Sequence, residues 1–476
     1  MDPHTSNRCF KQCVQILAGL ACCLMLFQTR AAAIQDTGLA AEVKRRPNHP
    51  LELRNRGNSA DEPSRLPADA STLQEPVGVM VLSQALALAL TRNPQLAAFS
   101  NEIRAREAAT LQASLIPNPV LGVQASNFAN NTFSGADADV VTLQLSQLIE
   151  LGGKRAARTE AAALNKELAD WDYETQRIAV LTQVTKDFIE VLAAQRRLQL
   201  AQQLIDLADQ VVKSATARVQ AGSVTPLEET KAKVMRASTK IEWNRAQREL
   251  QAKRKRLAAS WGSTEARFDS VQGELTSVRQ PPSLQQLLQR IKLNPNLARW
   301  ATEISQRQAL VRVEESKVIP NITVSLGTNK YLDGDNYNLN AGISMPLPLF
   351  NRNQGNVMAA ERQLNKAKDE RRHVEVQMTT ELNTVYQQLH AAYAEIVALQ
   401  ETVIPGAETA FKVADRGYRL GEFGILDVLD AQRTLFGVKI QYLQSLADYH
   451  LNVADIERLL GGSLNPSTET SSESLP

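Results

Sequence analysis

Between residues 164 and 191 the apolar positions Leu164, Leu168, Trp171, Ile178, Leu181, Val184, Phe188 and Val191 are spaced mostly three, four or seven apart. That spacing places them on one stripe of an α-helix, as in a coiled-coil seam or the core of a helical bundle. No proline or glycine interrupts Lys154–Val219, so the predicted helix has about 66 residues and measures roughly 100 Å. Upstream the period changes to two: Val141, Leu143 and Leu145 alternate with Thr142, Gln144 and Ser146, which predicts a strand over Val140–Leu148. Val120–Phe128 has strand-like composition, and the loop "NNTFSGADAD" between the two makes them a hairpin.

Breakers delimit the remaining elements. A short helix over Leu82–Leu90 stops at Asn93–Pro94, because proline disfavours a helical residue before it. A second helix runs from Pro94 to Ile116 and ends at Pro117 and Pro119. After the long helix the chain turns at Gly222–Pro226 and returns as a helix from Leu227 to about Trp261. The return helix covers half of its partner, and adding Pro94–Ile116 brings the pair to roughly 85 to 90 Å. The lengths predict a rod closed by two short helices stacked end to end.

The same order then recurs about 200 residues later. "SQALALALTRNPQL" (from Ser83) returns as "LQQLLQRIKLNPNL" (from Leu284), "SLIPNPVLGV" (Ser114) as "KVIPNITVSL" (Lys317), "SQLIELGGKR" (Ser146) as "SMPLPLFNRN" (Ser344), and "VQAGSVTPLEETKAK" (Val219) as "YRLGEFGILDVLDAQ" (Tyr418). The second copy is expected to place helices at Pro295–Ile319, Gln354–Leu420 and Ile425–Leu460, with strands at Thr323–Leu332 and Tyr337–Met345 linked through "DGDN". Pro346 and Pro348 end the last strand, since neither can donate to a ladder. Pro405 should kink the third helix without ending it.

With 22% charged and 5% aromatic residues, the composition favours an elongated molecule over a compact globule. A formal net charge of +2 and no basic patch interleaved with aromatics leave nucleic-acid binding unsupported. Arg8 and Lys11, the apolar run Val14–Phe27 and Ala31–Ala33 have the layout of a secretory leader cleaved after Ala33. A lipid anchor at Cys22 or Cys23 is the alternative, poorly matched because Gly19 stands where leucine is expected before Cys22. All four cysteines lie in this leader, so the mature chain has neither disulfides nor thiol chemistry.

The expected organisation is a signal peptide over 1–33, a flexible polar extension over 34–78, and a first repeat over 79–270 with a β-hairpin at 119–148 and a helical hairpin at 154–261. A linker over 271–282 leads to a second repeat over 283–461, with a β-hairpin at 321–347 and a helical hairpin at 354–460, and to a disordered tail over 462–476.

Strands of about nine to eleven residues in a secreted chain suit an outer membrane. Four strands cannot close a barrel, because about eight are the minimum, so several copies must share one. Each strand pair is flanked by helices pointing the same way, and a closed barrel therefore carries all its long helices on one side. The fold class is an α+β membrane protein: a long coiled-coil helical barrel joined to a transmembrane β-barrel shared between protomers.

The paired "NP" and "IPN" landmarks, "LGGKR" at Leu151–Arg155, "PLFNRNQG" at Pro348–Gly355 and "YRLGEFGILDVLDAQRTL" at Tyr418–Leu435 resemble the TolC-like outer-membrane efflux family over about Val81–Gly461. "LGGKR" and "PLFNRNQG" resemble most its CzcC-like, cobalt-zinc-cadmium branch. The resemblance implies a homotrimer of about twelve strands in outer-membrane lipid, docked to a periplasmic adaptor and an inner-membrane RND-type pump. It implies an exit duct for divalent heavy metals, with drugs or secreted proteins as the alternative cargo. A periplasmic coiled-coil adaptor is the rival class, but that design is expected to hold one helical hairpin, not two.

Asp427 and Asp430, three apart after a glycine-rich turn, project from one face of the returning helix. Acidic residues in a first turn also suit the helix dipole; the resemblance implies in addition that they ring the periplasmic entrance. The turns at Gly222 and Thr225 and at Gly421, Glu422, Phe423 and Gly424 resemble the family's adaptor-contact tips, although tight turns need glycine in any case. A basic residue that locks the closed state in the family has no counterpart at Phe423. His373, His390 and His450 stand singly on helices, and no metal site, cofactor or catalytic constellation is expected.

Overall fold

The computed structural model describes residues 77–128, 138–331 and 336–464. The leader with its alternative lipid anchor, the polar extension up to residue 76, the "DGDN" link, most of the Asn-rich loop and the tail from residue 465 lie outside the described residues.

In chain order the elements are β1 (Gly78–Val81), α1 (Leu82–Arg92), α2 (Pro94–Ser114), β2 (Val120–Phe128), β3 (Ala138–Ile149), α3 (Lys154–Gln220), α4 (Pro226–Ala259) and β4 (Phe268–Gln272). The second half adds α5 (Leu284–Arg290), α6 (Pro295–Ser316), β5 (Ile322–Tyr331), β6 (Tyr337–Ser344), α7 (Gln354–Ala398), α8 (Ile404–Leu420) and α9 (Ile425–Leu460). Helix α3 is 67 residues long. Of the eight seam residues, Leu168, Val184, Phe188 and Val191 are buried and the rest are half-buried.

The short helices stack as their lengths require. Along α3, Lys253 of α4 meets Glu190 at 2.7 Å, while Arg158 of α3 donates to the Ala113 carbonyl of α2 at 2.8 Å. At the joint between α4 and α2, Asn93 caps α2 by accepting from the Gln95 and Leu96 amides, and its Nδ2 donates to the Ser260 carbonyl at 2.7 Å. The second copy repeats the device. Asn294 caps α6 through the Asn296 amide, and its Nδ2 donates to the Arg458 and Leu459 carbonyls ending α9, both at 2.9 Å. The "NP" landmark is thus the stacking joint: asparagine satisfies orphan groups of two helices at once, and proline occupies N1, where its missing N–H costs nothing.

Pro405 does not end the helical run. A π-turn over Leu399–Val403 absorbs the misfit and α8 continues the same run, since one wider turn re-registers the ladder around a residue that cannot donate.

A small parallel sheet, β1 beside β4, was not legible in the sequence. It corrects two boundaries: Gly78 belongs to a strand, and residues 271 and 272 complete β4 before any linker begins. Met80 and Phe268 of this sheet are fully buried with Val184, Val191, Leu257, Leu287, Leu382, Leu389, Ile456 and Leu459, where helices of both repeats converge. The start of the expected tail is packed too: Leu464 is buried, and Arg290 donates to the Ser463 and Leu464 carbonyls.

Strands β2–β3–β5–β6 form one antiparallel sheet. Its register sorts side chains by chemistry. One face carries Leu121, Val123, Val141, Leu143, Leu145, Ile149, Ile322, Val324, Leu326, Leu339 and Ile343, with Gln147, Thr328 and Lys330 as its polar exceptions; the other carries Gln124, Thr142, Gln144, Ser146, Ser325, Asn329, Asn338 and Asn340, with Val120, Val140, Leu148 and Tyr331 among them. Leu121, Val123, Leu339 and Ile343 are between 62% and 77% exposed, so the apolar face is open. Strands β2 and β6 are its edges. No described helix is long and apolar enough to cross a membrane.

Candidate functional site

Two parts of the molecule gather the polar groups of interest: one face of the large sheet and the turns where the helical hairpins end. On the sheet, Thr142 donates to the Asn329 Oδ1 at 2.9 Å and Asn340 donates to the same oxygen at 2.8 Å, a neutral hydrogen-bonded row across three strands. The row carries no charge.

The crossing from sheet to helices is set by "LGGKR". Gly152 has φ +72°, and a Cβ there would stand 2.9 Å from both the Ile319 Cβ and the Ser316 carbonyl, so only glycine permits the approach of the two repeats. Lys154 donates to the Ile319 carbonyl and to the Asn321 Oδ1. Arg158 forks onto Glu150, at 2.6 Å from Oε1, and also donates to the Ala113 and Leu115 carbonyls, which fixes the end of α2.

At the far end, helix α3 closes at Gly222 (φ +68°), which is exposed, and Thr225 precedes Pro226 at the start of α4 without a side-chain cap. The second turn is more constructed. Gly421 (φ +85°) ends α8, the Glu422 and Phe423 amides both donate to the Gly417 carbonyl, and the Phe423 ring lies over Gly417. The Gly424 amide donates to Asp427 Oδ2 at 2.9 Å, so Asp427 caps α9. Asp427 and Asp430 are both exposed on the first turns of α9. Among the described residues Asp430 has neither a hydrogen bond nor an ion pair, and its carboxylate is open to solvent.

Sequence reasoning missed what ties the two turns together. Arg218 donates to the Tyr418 carbonyl at 2.9 Å, its guanidinium lies 4.5 Å above the Tyr418 ring, and the Tyr418 hydroxyl donates to Glu228 at 3.4 Å. Tyr418 is 3% exposed and sits on a small apolar cluster of Val211, Ala215, Ala232, Ala414, Ile425 and Val428. Burial, with Glu228 beside it, pushes the Tyr418 phenol above its ordinary range, and Arg218 opposes the shift. The available signal was positional: Arg218 and Tyr418 stand just before the two tip glycines. These three side chains link the two helical hairpins at their tips.

Among the described residues no group of three or more His, Cys, Asp or Glu side chains is arranged to hold a metal ion. His450 is half-buried on α9 with its Nε2 at 2.8 Å from the Leu275 carbonyl, and partial burial holds its pKa below the ordinary value.

Residues 85–263 and 284–462 each match the family model described as outer membrane efflux protein. The chain is 38% identical over 388 residues to the cobalt-zinc-cadmium resistance protein CzcC of Cupriavidus metallidurans, covering 82% of this chain and 91% of CzcC. It is 26% identical to the pyoverdine export outer membrane protein OpmQ of Pseudomonas aeruginosa, covering 83% of this chain and 89% of OpmQ. Among solved structures, CusC superposes with a TM-score of 0.70 at 19% identity, over 85% of this chain and 99% of that one.

Proposed function

The chain belongs to the outer membrane efflux protein family, and from that membership we propose that it is the exit duct of a tripartite efflux system for divalent heavy-metal cations. The observation that carries the duct is the four-stranded sheet, apolar on one face, polar on the other and open at both edges. Such a sheet is stable in lipid only when copies close it into a barrel, because an unpaired edge in hydrocarbon leaves backbone groups without partners. We propose three copies, with the helices of all three continuing the tube into the periplasm.

The metal assignment rests on greater likeness to CzcC than to OpmQ over comparable lengths. The cargo passes through the duct as solvated cations and is not coordinated by it. Asp427 and Asp430 supply the cation preference: three copies gather the pair into a ring of carboxylates at the narrow end, where a concentrated negative field draws cations in. The trio Arg218, Tyr418 and Glu228 holds that end closed within each protomer. Gly222, Thr225, Gly421, Glu422, Phe423 and Gly424 lie at the ends of the hairpins, the surface available to a periplasmic adaptor that couples the duct to an inner-membrane RND-type pump.

Deletion of the gene followed by growth on zinc, cobalt, cadmium, nickel and copper, beside panels of drugs and siderophores, tests the assignment. Loss of metal tolerance is expected. Retained metal tolerance with lost drug tolerance or siderophore release reassigns the cargo. Recovery of the protein in the soluble periplasmic fraction removes the duct altogether.

A further inference from the structure

The sheet and its crossing imply how neighbouring copies join, and this inference rests on the shared-barrel reading above. Within one chain the two repeats meet where β3 pairs with β5, with Leu145 opposite Leu326 and Gln147 opposite Val324. That pairing continues into the crossing, where Gly152 abuts Ile319 and Lys154 binds the Ile319 carbonyl and Asn321. The edges left open are β6 at the end of the second repeat and β2 at the start of the first. In a closed ring of repeats these edges are equivalent to β3 and β5, so the internal seam is a template for the seam between copies.

The repeat supplies the offsets. Strand β2 maps onto β5 through "IPN", Ile116–Asn118 onto Ile319–Asn321, and β3 maps onto β6 through Ser146 onto Ser344. Carrying the β3–β5 register across these offsets sets Ile343 of one copy opposite Val123 of the next, and Met345 opposite Leu121. A check not used in the construction is the face: Val123, Leu121 and Ile343 all lie on the apolar side. A shift by one residue would put apolar side chains opposite polar ones.

The crossing after β6 differs from its internal counterpart in a way that fits this neighbour. By the same offset, the chain reaches α3 eight residues after Ser146 and α7 ten residues after Ser344, and the second run reads "MPLPLFNRN". Leu347, Leu349 and Phe350 are 70%, 65% and 90% exposed in the single chain. The transferred register brings this run alongside the end of α2 in the next copy, where Leu111 is 65% exposed and Leu115 and Ile116 are each 49% exposed. Two apolar surfaces that topology places side by side, each uncovered in one chain, make a head-to-tail contact that closes as a ring.

We propose that copies of this chain join through β6 and β2 with Ile343 opposite Val123, and that the Leu347–Phe350 crossing seats against Leu111, Leu115 and Ile116 of the next copy. The test is disulfide cross-linking of the full-length protein in outer membranes. The pairs are Ile343→Cys with Val123→Cys, and Ile343→Cys with Leu121→Cys or Ala125→Cys; single-cysteine variants report any contribution from the native cysteines. A covalent ladder is expected from the first pair at roughly tenfold or more the yield of the others, because a two-residue slip moves the Cα atoms beyond disulfide reach. A ladder from either slipped pair, or from none while the native protein sediments as an oligomer, overturns the register and leaves the shared barrel standing. A protein that sediments as a monomer in mild detergent overturns the barrel reading itself. For the crossing, Phe350→Asp should abolish the heat-resistant oligomer band that Phe350→Leu retains. An unchanged band for Phe350→Asp, together with quenching of a Phe350→Trp variant by brominated lipid above that of the native protein, shows lipid at this segment and overturns the seat.

Discussion

The stacking joints and the hairpin tips are the two places where the repeats are most directly comparable, and they have opposite characters. At the joints both copies use one solution: Asn93 or Asn294 caps the upper helix, binds the end of the lower one and is followed by proline. At the tips they divide the labour. The first turn is plain and contributes Arg218 and Glu228 from its flanks, while the second carries Tyr418, the Phe423 ring over Gly417 and both aspartates. A joint has only to make two helix lengths equal one, which is the same problem in each copy. In the proposed duct a tip meets a neighbour and closes the pore, and two unlike surfaces divide those tasks.

Unequal burial of the joints offers the largest test. Asn294 is 5% exposed and bonds two carbonyls besides its cap, whereas Asn93 is half-buried and bonds one. Asn294→Ala should cost about 2 to 3 kcal/mol and Asn93→Ala about 1 to 2 kcal/mol in denaturant unfolding of the detergent-solubilised protein. Equal losses would mean that the joints are as alike in energy as in design.

At the tips, Arg218→Ala removes a cation–π contact and a hydrogen bond, worth about 1 to 2 kcal/mol together. A change near 1.4 kcal/mol shifts the closed-to-open ratio about tenfold, visible as more frequent openings in single-channel recordings. Tyr418→Phe, which loses only the long bond to Glu228, should do less. An Arg218→Ala channel that opens no more often than wild type would deny the trio its closing role.

Gln432, two residues beyond Asp430, is fully buried, and among the described residues neither its side-chain nitrogen nor its oxygen has a partner. Gln432→Leu should therefore stabilise the protein by about 1 kcal/mol, because an unpaired buried amide is replaced by apolar volume. A loss of stability would point to a partner for the amide in the assembly. Asp427→Ala with Asp430→Ala should lower cation preference while leaving the sheet and joints unaffected; unchanged reversal potentials in a salt gradient would remove the carboxylate ring. Asp427→Ala alone also loses the cap on α9, which a matched Asp427→Ser separates from the charge.

The smallest effect concerns pH. The fold lowers the His450 pKa, chiefly by burial, so the uncharged ring is the form it favours. Its contribution is complete above the ordinary histidine value of about 6.5 and is lost as pH falls from there toward the folded-state value. Amide exchange at Leu275 and its neighbours should quicken over that window in the native protein and not in His450→Gln.

Much of this was legible in the chain because period and length are local quantities. An unbroken seam from Lys154, alternation at Val141–Ser146 and paired breakers at Asn93–Pro94 and Asn294–Pro295 each constrain a stretch of backbone whatever surrounds it. The 200-residue echo then determined that the elements come in two sets, and strand count alone required more than one copy. The parallel pair β1–β4 was not legible, because four residues of Gly-Val-Met-Val become a strand only when Phe268 arrives from 190 residues away to pair with Gly78. The π-turn before Pro405 was likewise not legible, because proline alone does not say how the ladder re-registers around it. The contact of Arg218 with Tyr418 joins two hairpins through side chains whose spacing follows no period. Local sequence determined the rods, the strands and their duplication; tertiary structure decided which tip residues meet, since that depends on how two long helices lie together at ends far from where either one begins.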